Sequence, residues 1–207
     1  MFVLVENDSI TKTVSSNRGI TIGENQYPQA IFSAAWSTAE REAIGLYEVV
    51  IDNSNKKDEK YYTNTNQSLN FADGVATASF GSATAKSLTD TLWTAQDEID
   101  GKGTEGEVAV EGLKNKHKDV IKRQASGLLT PTDWYVIKAT DVESYSVPSA
   151  VTTFRANVRT KSNEMETAID NAANVDALAA LYEYVNTGTE ENPVMERPLG
   201  EWPVLEV

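Results

Sequence analysis

Apolar and polar residues alternate through the first part of the chain, then change to a three-to-four-residue recurrence in the second. Side chains repeat every two residues on a strand and every 3.6 on a helix, so the pattern predicts strands followed by helices. FVLVE (2–6) reads as a short apolar strand, and ITKTV and GITIG alternate in the strand manner. LYEVVID (46–52) combines β-branched and aromatic residues, and KYYTNT and VATASF (75–80) add further strands. Asp73-Gly74, between LNFA and VATASF, predicts a hairpin, because the tight turn needs positive φ at both positions. One helix interrupts this region. Ser37, with Glu40 three residues on, forms a capping-box pattern, and Gly45 ends the helix.

Residues 82–100 predict a strand-to-helix transition, and Gly101, Gly103 and Gly106 then break the pattern within DGKGTEGE. Leu113, His117, Val120, Ile121, Ala125 and Leu128 recur at helical spacing over 111–129. Val151, Phe154, Arg155, Val158, Met165 and Ile169 share one face of a second long helix. A shorter helix is predicted at 175–185, with Val175, Leu178, Leu181 and Tyr182 inward. The remainder, NTGTEENPVMERPLGEWPVLEV, carries three prolines and predicts an extended tail. The fold class expected is α+β. A β-rich part spans 1–100, a glycine-rich joint 101–107, a helical part 108–186 and an extended tail 187–207.

LLTPTDW (128–134) lies where one helical pattern stops and another starts. Thr130 is placed to cap the second helix, and Pro131 occupies its first position, where a missing N–H is harmless. Asp133 favours the positive helix end. Trp134 is then expected to be buried in the angle between the two helices. SVPS (146–149) opens the next helix in a similar way.

Composition narrows the function classes. The 207 residues include 31 acidic and 18 basic ones, a formal charge of −13. That balance disfavours nucleic-acid binding, because phosphate backbones are repelled. With no cysteine, disulfides, thiolate metal sites and a cysteine nucleophile are excluded. No apolar stretch reaches membrane-spanning length, and the N-terminal residues lack the basic start of a secretory signal. A cytosolic or particle-associated protein is expected.

Candidate chemistry is sparse. QDEIDGKGTEGE (96–107) approaches a calcium loop, with Glu98, Asp100, Gly101 and Glu107 in register, but Gln96 stands where a carboxylate is needed. An acidic surface segment is the simpler account. His117 has no companion ligands at metal spacing. KNKHKDVIKR (114–123) is basic and reads as a solvated helix face. No nucleophile elbow or phosphate loop is present, so neither an enzyme nor a cofactor is implied. Of the four tryptophans, Trp36 and Trp134 sit in periodic patterns and are expected in the core. Trp202, with Val204 and Leu205, lies in the proline-rich tail. That segment either contacts a partner or folds back over its own helices.

Leu128, Leu129, Thr132, Asp133, Trp134, Pro148, Phe154, Arg155 and Arg159 form an ordered pattern across about 35 residues of the chain. Two leucines and a polar residue precede Thr-Asp-Trp, and a proline precedes an aromatic-Arg helix with a second arginine. This segment resembles the bacteriophage tail fibre assembly proteins, a family of tail fibre chaperones. RPLGEWP is similar to the family's proline-containing close, and AAWSTAEREAIGLYEVVID to the N-terminal portion of related small tail proteins. The helix after Arg159 is longer than the family pattern, and YVIKATDV lacks its usual charged run. The resemblance implies a chaperone that holds fibre chains in the host cytoplasm until they trimerise. A structural component that stays in the virion tail is the alternative. The implied partner is a tail fibre or other tail protein, with self-association left open.

Overall fold

The computed structural model describes residues 1–206 and divides into two compact units, Met1–Thr84 and a second beginning at Ala85. Strands dominate the first and helices the second, so the chain is α+β.

The first unit contains β1 (Phe2–Glu6), β2 (Ser9–Val14), β3 (Ile20–Ile22), β4 (Asn25–Tyr27), α1 (Thr38–Glu42), β5 (Leu46–Asp52), β6 (Tyr62–Thr63), β7 (Gln67–Ala72) and β8 (Val75–Phe80). Five strands form one sheet in the order β2-β1-β5-β8-β7, and only the β5–β8 pairing is parallel. The continuous apolar run of β1 follows from burial on both faces. Phe2 and Leu4 pack with Val14, Ile20, Ile31 and Leu46 on one side, and Val3 and Val5 with Val49, Ala76 and Ala78 on the other. The sheet curls, so that the outer strands β2 and β7 approach each other.

Two tight turns set the register. Asp73 and Gly74 have φ of 50° and 78°, as the Asp-Gly pair predicts. Asn7 and Asp8, at 49° and 57°, do the same between β1 and β2, a turn the pattern of apolar residues did not reveal. The predicted capping box closes α1: Glu40 N–H donates to Ser37 Oγ, and Glu40 Oε2 accepts from Ser37 N–H. Gly45 has φ of 78°, and a Cβ there would stand 2.6 Å from the Val5 carbonyl oxygen, so no other residue fits. Arg41 is buried, and its Nη1 donates to the carbonyls of Trp36 (2.7 Å), Ser33 (3.2 Å) and Ile31 (3.4 Å). Those bonds satisfy a charge that periodicity alone would place in solvent.

β9 (Thr84–Ala85) spans the junction between the units. The second unit continues with β10 (Thr91–Leu92), α2 (Ala95–Ile99), β11 (Val108–Val110), α3 (Leu113–Leu129), α4 (Asp133–Asp141), α5 (Ser149–Asn171), α6 (Val175–Ala180), β12 (Val185–Asn186) and β13 (Met195–Glu196). α3 packs on α5. α3 buries Leu113, His117, Ile121 and Ala125, and α5 buries Val151, Phe154, Val158, Met165 and Ile169, on the predicted faces. Val120 falls off the α3 face and is exposed.

The division between units falls at 84/85, and the glycine-rich residues 101–107 lie inside the second unit. They close the loop from α2 to β11: Trp93 N–H donates to Glu107 O at 2.9 Å, and Gly106 N–H to Trp93 O at 3.0 Å. Gly101 and Gly106 have positive φ, so they serve as a helix stop and a turn. The tail also differs from an extended chain. β12 and β13 pair antiparallel, and Leu199, buried, donates its N–H to Leu181 O.

Candidate partner-binding surface

The LLTPTDW corner is built around an arginine. Thr130 keeps helical angles, and its hydroxyl donates to Ser126 O at 2.8 Å, so it extends α3 and does not cap α4. A 3-10 turn, Thr130–Thr132, leads directly into α4. Thr132 precedes α4 and is buried, but its hydroxyl donates to Leu129 O at 2.7 Å and caps nothing. From α5, Arg155 Nη1 reaches Leu129 O (3.0 Å), Thr132 Oγ1 (2.6 Å) and Asp133 Oδ1 (2.7 Å). One guanidinium therefore binds the end of α3, the turn and the start of α4. Arg159 lies one turn on and donates back to Arg155 O at 3.2 Å. Leu128 and Leu129 pack beside Phe154 in the adjoining apolar cluster.

Trp134 does not fill the corner; it is 49% exposed. Thr132 takes the inner place, and two residues further along a helix is about 200° of rotation, which turns Trp134 outward. None of the nine residues of α4 is buried. Trp134, Val136, Ile137 (61% exposed) and, just beyond the helix, Val142 all face solvent. Trp134 stacks on Tyr135 with ring centroids 3.8 Å apart. The Lys138 ammonium lies 5.8 Å from the Trp134 ring centroid and 4.3 Å from that of Tyr145. WYVI offers four consecutive apolar residues, more than one face of a helix can bury, and that was the available signal in the sequence. Trp134→Ala is expected to cost about 1 kcal/mol of stability, well short of the roughly 3–5 kcal/mol of a buried indole. A urea melt measures it, and a loss in the larger range would place the ring in the core.

No family model, curated protein or solved structure matches this chain.

The three tail residues separate. Trp202 and Leu205 pack against Ala125, Phe154 and Val158, and the Trp202 indole N–H donates to Gln124 Oε1 at 3.1 Å. Val204 points outward at 82% exposure. Glu201 fixes the approach, accepting from Tyr184 Oη at 2.7 Å and pairing with Arg197. The tail thus folds back on its own helices, and Trp202 and Leu205 are committed there.

The remaining candidates have structural partners. Three lysines of the basic stretch on α3 reach α5, and Lys116 and Arg123 stay exposed: Lys118 pairs with Asp170 at 2.8 Å, Lys122 with Glu166 at 3.8 Å, and Lys114 donates to Asp170 O at 2.7 Å. His117 is buried, with Nδ1 2.6 Å from Tyr182 Oη. Trp36 is half-buried against Tyr27 in the first unit. Among the described residues, no three His, Asp or Glu side chains are grouped to hold a metal, and no helix is long and apolar enough to cross a membrane.

In the calcium-like segment, Lys102 Nζ bridges Asp97 at 3.0 Å and Asp100 at 3.1 Å, placing a cation of the chain's own among the carboxylates. Thr94 caps α2 by accepting from Asp97 N–H at its hydroxyl oxygen, and its own N–H and hydroxyl both donate to the Asp97 carboxylate. The Thr94 bonds, helped by Lys102, hold the Asp97 carboxyl down at about 2. The folded value lies below the ordinary 3.8, so the contribution of this cap is present above that pH and is lost as pH falls through about 2. Carboxyl-detected NMR titration of Asp97 is expected to give a midpoint near 2; a midpoint at the ordinary value would mean that the cap does not form in solution.

Proposed function

We propose that this protein is an assembly chaperone for a phage tail fibre, and that α4 is the surface that holds the client. The observation that carries the reading is an exposed apolar helix clamped in place by Arg155. A helix that turns Trp134, Val136 and Ile137 to solvent within one turn is ordinarily covered there by something. Fibre chains awaiting trimerisation expose apolar strands and unpaired edges, which aggregate unless covered. Support also comes from the resemblance, because Thr132, Asp133 and Arg155 are motif positions and are the same residues that set the angle of α4.

The test is co-expression with the fibre encoded in the same genome. The wild-type chain is expected to raise soluble fibre trimer several-fold, and Ile137→Glu to abolish the gain while melting like wild type. Failure of the wild-type chain to improve on the fibre alone would refute the chaperone reading. A fixed copy number in purified virions would instead make the protein a structural subunit of the tail.

A further inference from the structure

Between Asp90 and Glu111 the chain makes an excursion, β10–α2–β11, that turns its apolar side chains outward. Val108 and Val110 are two residues apart on β11 and share a face, and across the ribbon they pair with Leu92 and Thr91, between which the register shifts. Val108, Val110 and Leu92 are 52%, 59% and 49% exposed, respectively. Among the described residues β11 pairs with β10 alone, so its outer edge carries no strand.

The excursion is fixed. Asp90 Oδ1 accepts from Gly112 N–H at 2.7 Å and Oδ2 from Asn115 Nδ2 at 2.8 Å, tying its base to the start of α3. Gly103 lies so close to Trp93 that a Cβ would clash with the indole ring. An edge held this firmly loses little conformational entropy when another chain docks on it.

Charge states what that chain must be. Glu107 and Glu111 border β11 at its two ends, each two residues from Ala109, so continued strand alternation assigns them to the side opposite the valines; neither forms an ion pair among the described residues. Lys102, the one basic residue in this stretch, is already shared by Asp97 and Asp100. A second copy would set glutamate against glutamate, and like charges across a strand pair destabilise it. A nucleic acid is repelled for the same reason.

We propose that the outer edge of β11 accepts an extended segment of another protein by strand addition, with the pattern basic–apolar–any–apolar–basic. Apolar residues of that segment cover Val108 and Val110, and its Lys or Arg residues stand opposite Glu107 and Glu111. The two-residue period of a strand puts these two demands on opposite faces. The proposal is independent of the α4 reading, since it uses a different surface and needs no fibre.

Fluorescence anisotropy with the full chain tests it at physiological ionic strength. The probe is a labelled peptide centred on Lys-Val-Thr-Val-Lys. The comparators are Lys-Thr-Val-Val-Lys, which has the same composition without alternation, and Glu-Val-Thr-Val-Glu. The alternating lysine peptide is expected to bind at least tenfold more tightly than either comparator. The doubly charge-reversed chain, Glu107→Lys with Glu111→Lys, is expected to prefer the glutamate peptide while keeping the wild-type melt. Equal binding of the two lysine peptides would reduce the effect to net-charge attraction and overturn the proposal. Absence of saturable binding, or a preference unchanged by charge reversal, would overturn it as well.

Discussion

Phe154→Ala is expected to destabilise the helical unit by about 3–5 kcal/mol, the range for removing a buried phenylalanine. Phe154 is buried with Ala125 and Val158, and Leu128, Leu129, Trp202 and Leu205 pack around that cluster. Removing the ring takes away the floor on which the tail rests, so Trp202 emission should shift toward that of a solvated indole. Urea melts give the stability change. The same ring supports both the corner leucines and the tail, so Phe154→Ala combined with Trp202→Ala should cost less than the sum of the two. Strict additivity, or a loss below about 1 kcal/mol for the single variant, would mean that the tail does not lie on this cluster in solution.

Arg155→Ala is expected to cost about 2–4 kcal/mol, from lost charge-assisted hydrogen bonds in a site with little water. The arginine side chain is only 12% exposed, whereas Asp133 is half exposed. Most of the effect therefore belongs to the bonds with Leu129 O and Thr132 Oγ1, and the screened ion pair adds little. Asp133→Ala should accordingly lose under about 1 kcal/mol. The Arg155→Ala variant should also speed amide exchange in α4 more than in α5. Equal losses for the two substitutions would make the ion pair the main bond and the clamp a misreading.

Where a signal was local, the sequence was legible. The Asp73-Gly74 turn and the Ser37–Glu40 box involve residues within a few positions, and both form as read. The α3 and α5 faces were legible because burial repeats with the helix. Trp134 and Thr130 were misplaced for one shared reason. Where α4 begins, and hence which way Trp134 points, is fixed by Arg155 from more than twenty residues away. A glycine cluster serves a linker and a tight turn equally well, so 101–107 carried no information about which it was. The basic stretch of α3 is solvated at Lys116, Lys122 and Arg123, as read; that Lys114 and Lys118 instead reach Asp170 was not legible, because that residue lies on α5, more than fifty positions along the chain. For the candidate surface, the four apolar residues of WYVI were visible, but their exposure was not, since it depends on a neighbour that fails to cover them.

The single parallel pairing in the first unit has a consequence for the order in which that unit assembles. β1–β2 and β7–β8 are each closed by a two-residue turn, so each is a local event, with hairpins forming in about 1–10 μs. Pairing β5 with β8 cannot be local: it must bring Val49–Asp52 alongside Ala76–Ser79 across an intervening stretch that includes β6 and β7. Closing that loop orders many residues before any contact rewards it. The two hairpins are therefore expected to exist early and the parallel seam to form at the rate-limiting step, so that substitutions at the turns slow folding with little effect on unfolding, while those at Val49 or Ala78 divide between slower folding and faster unfolding.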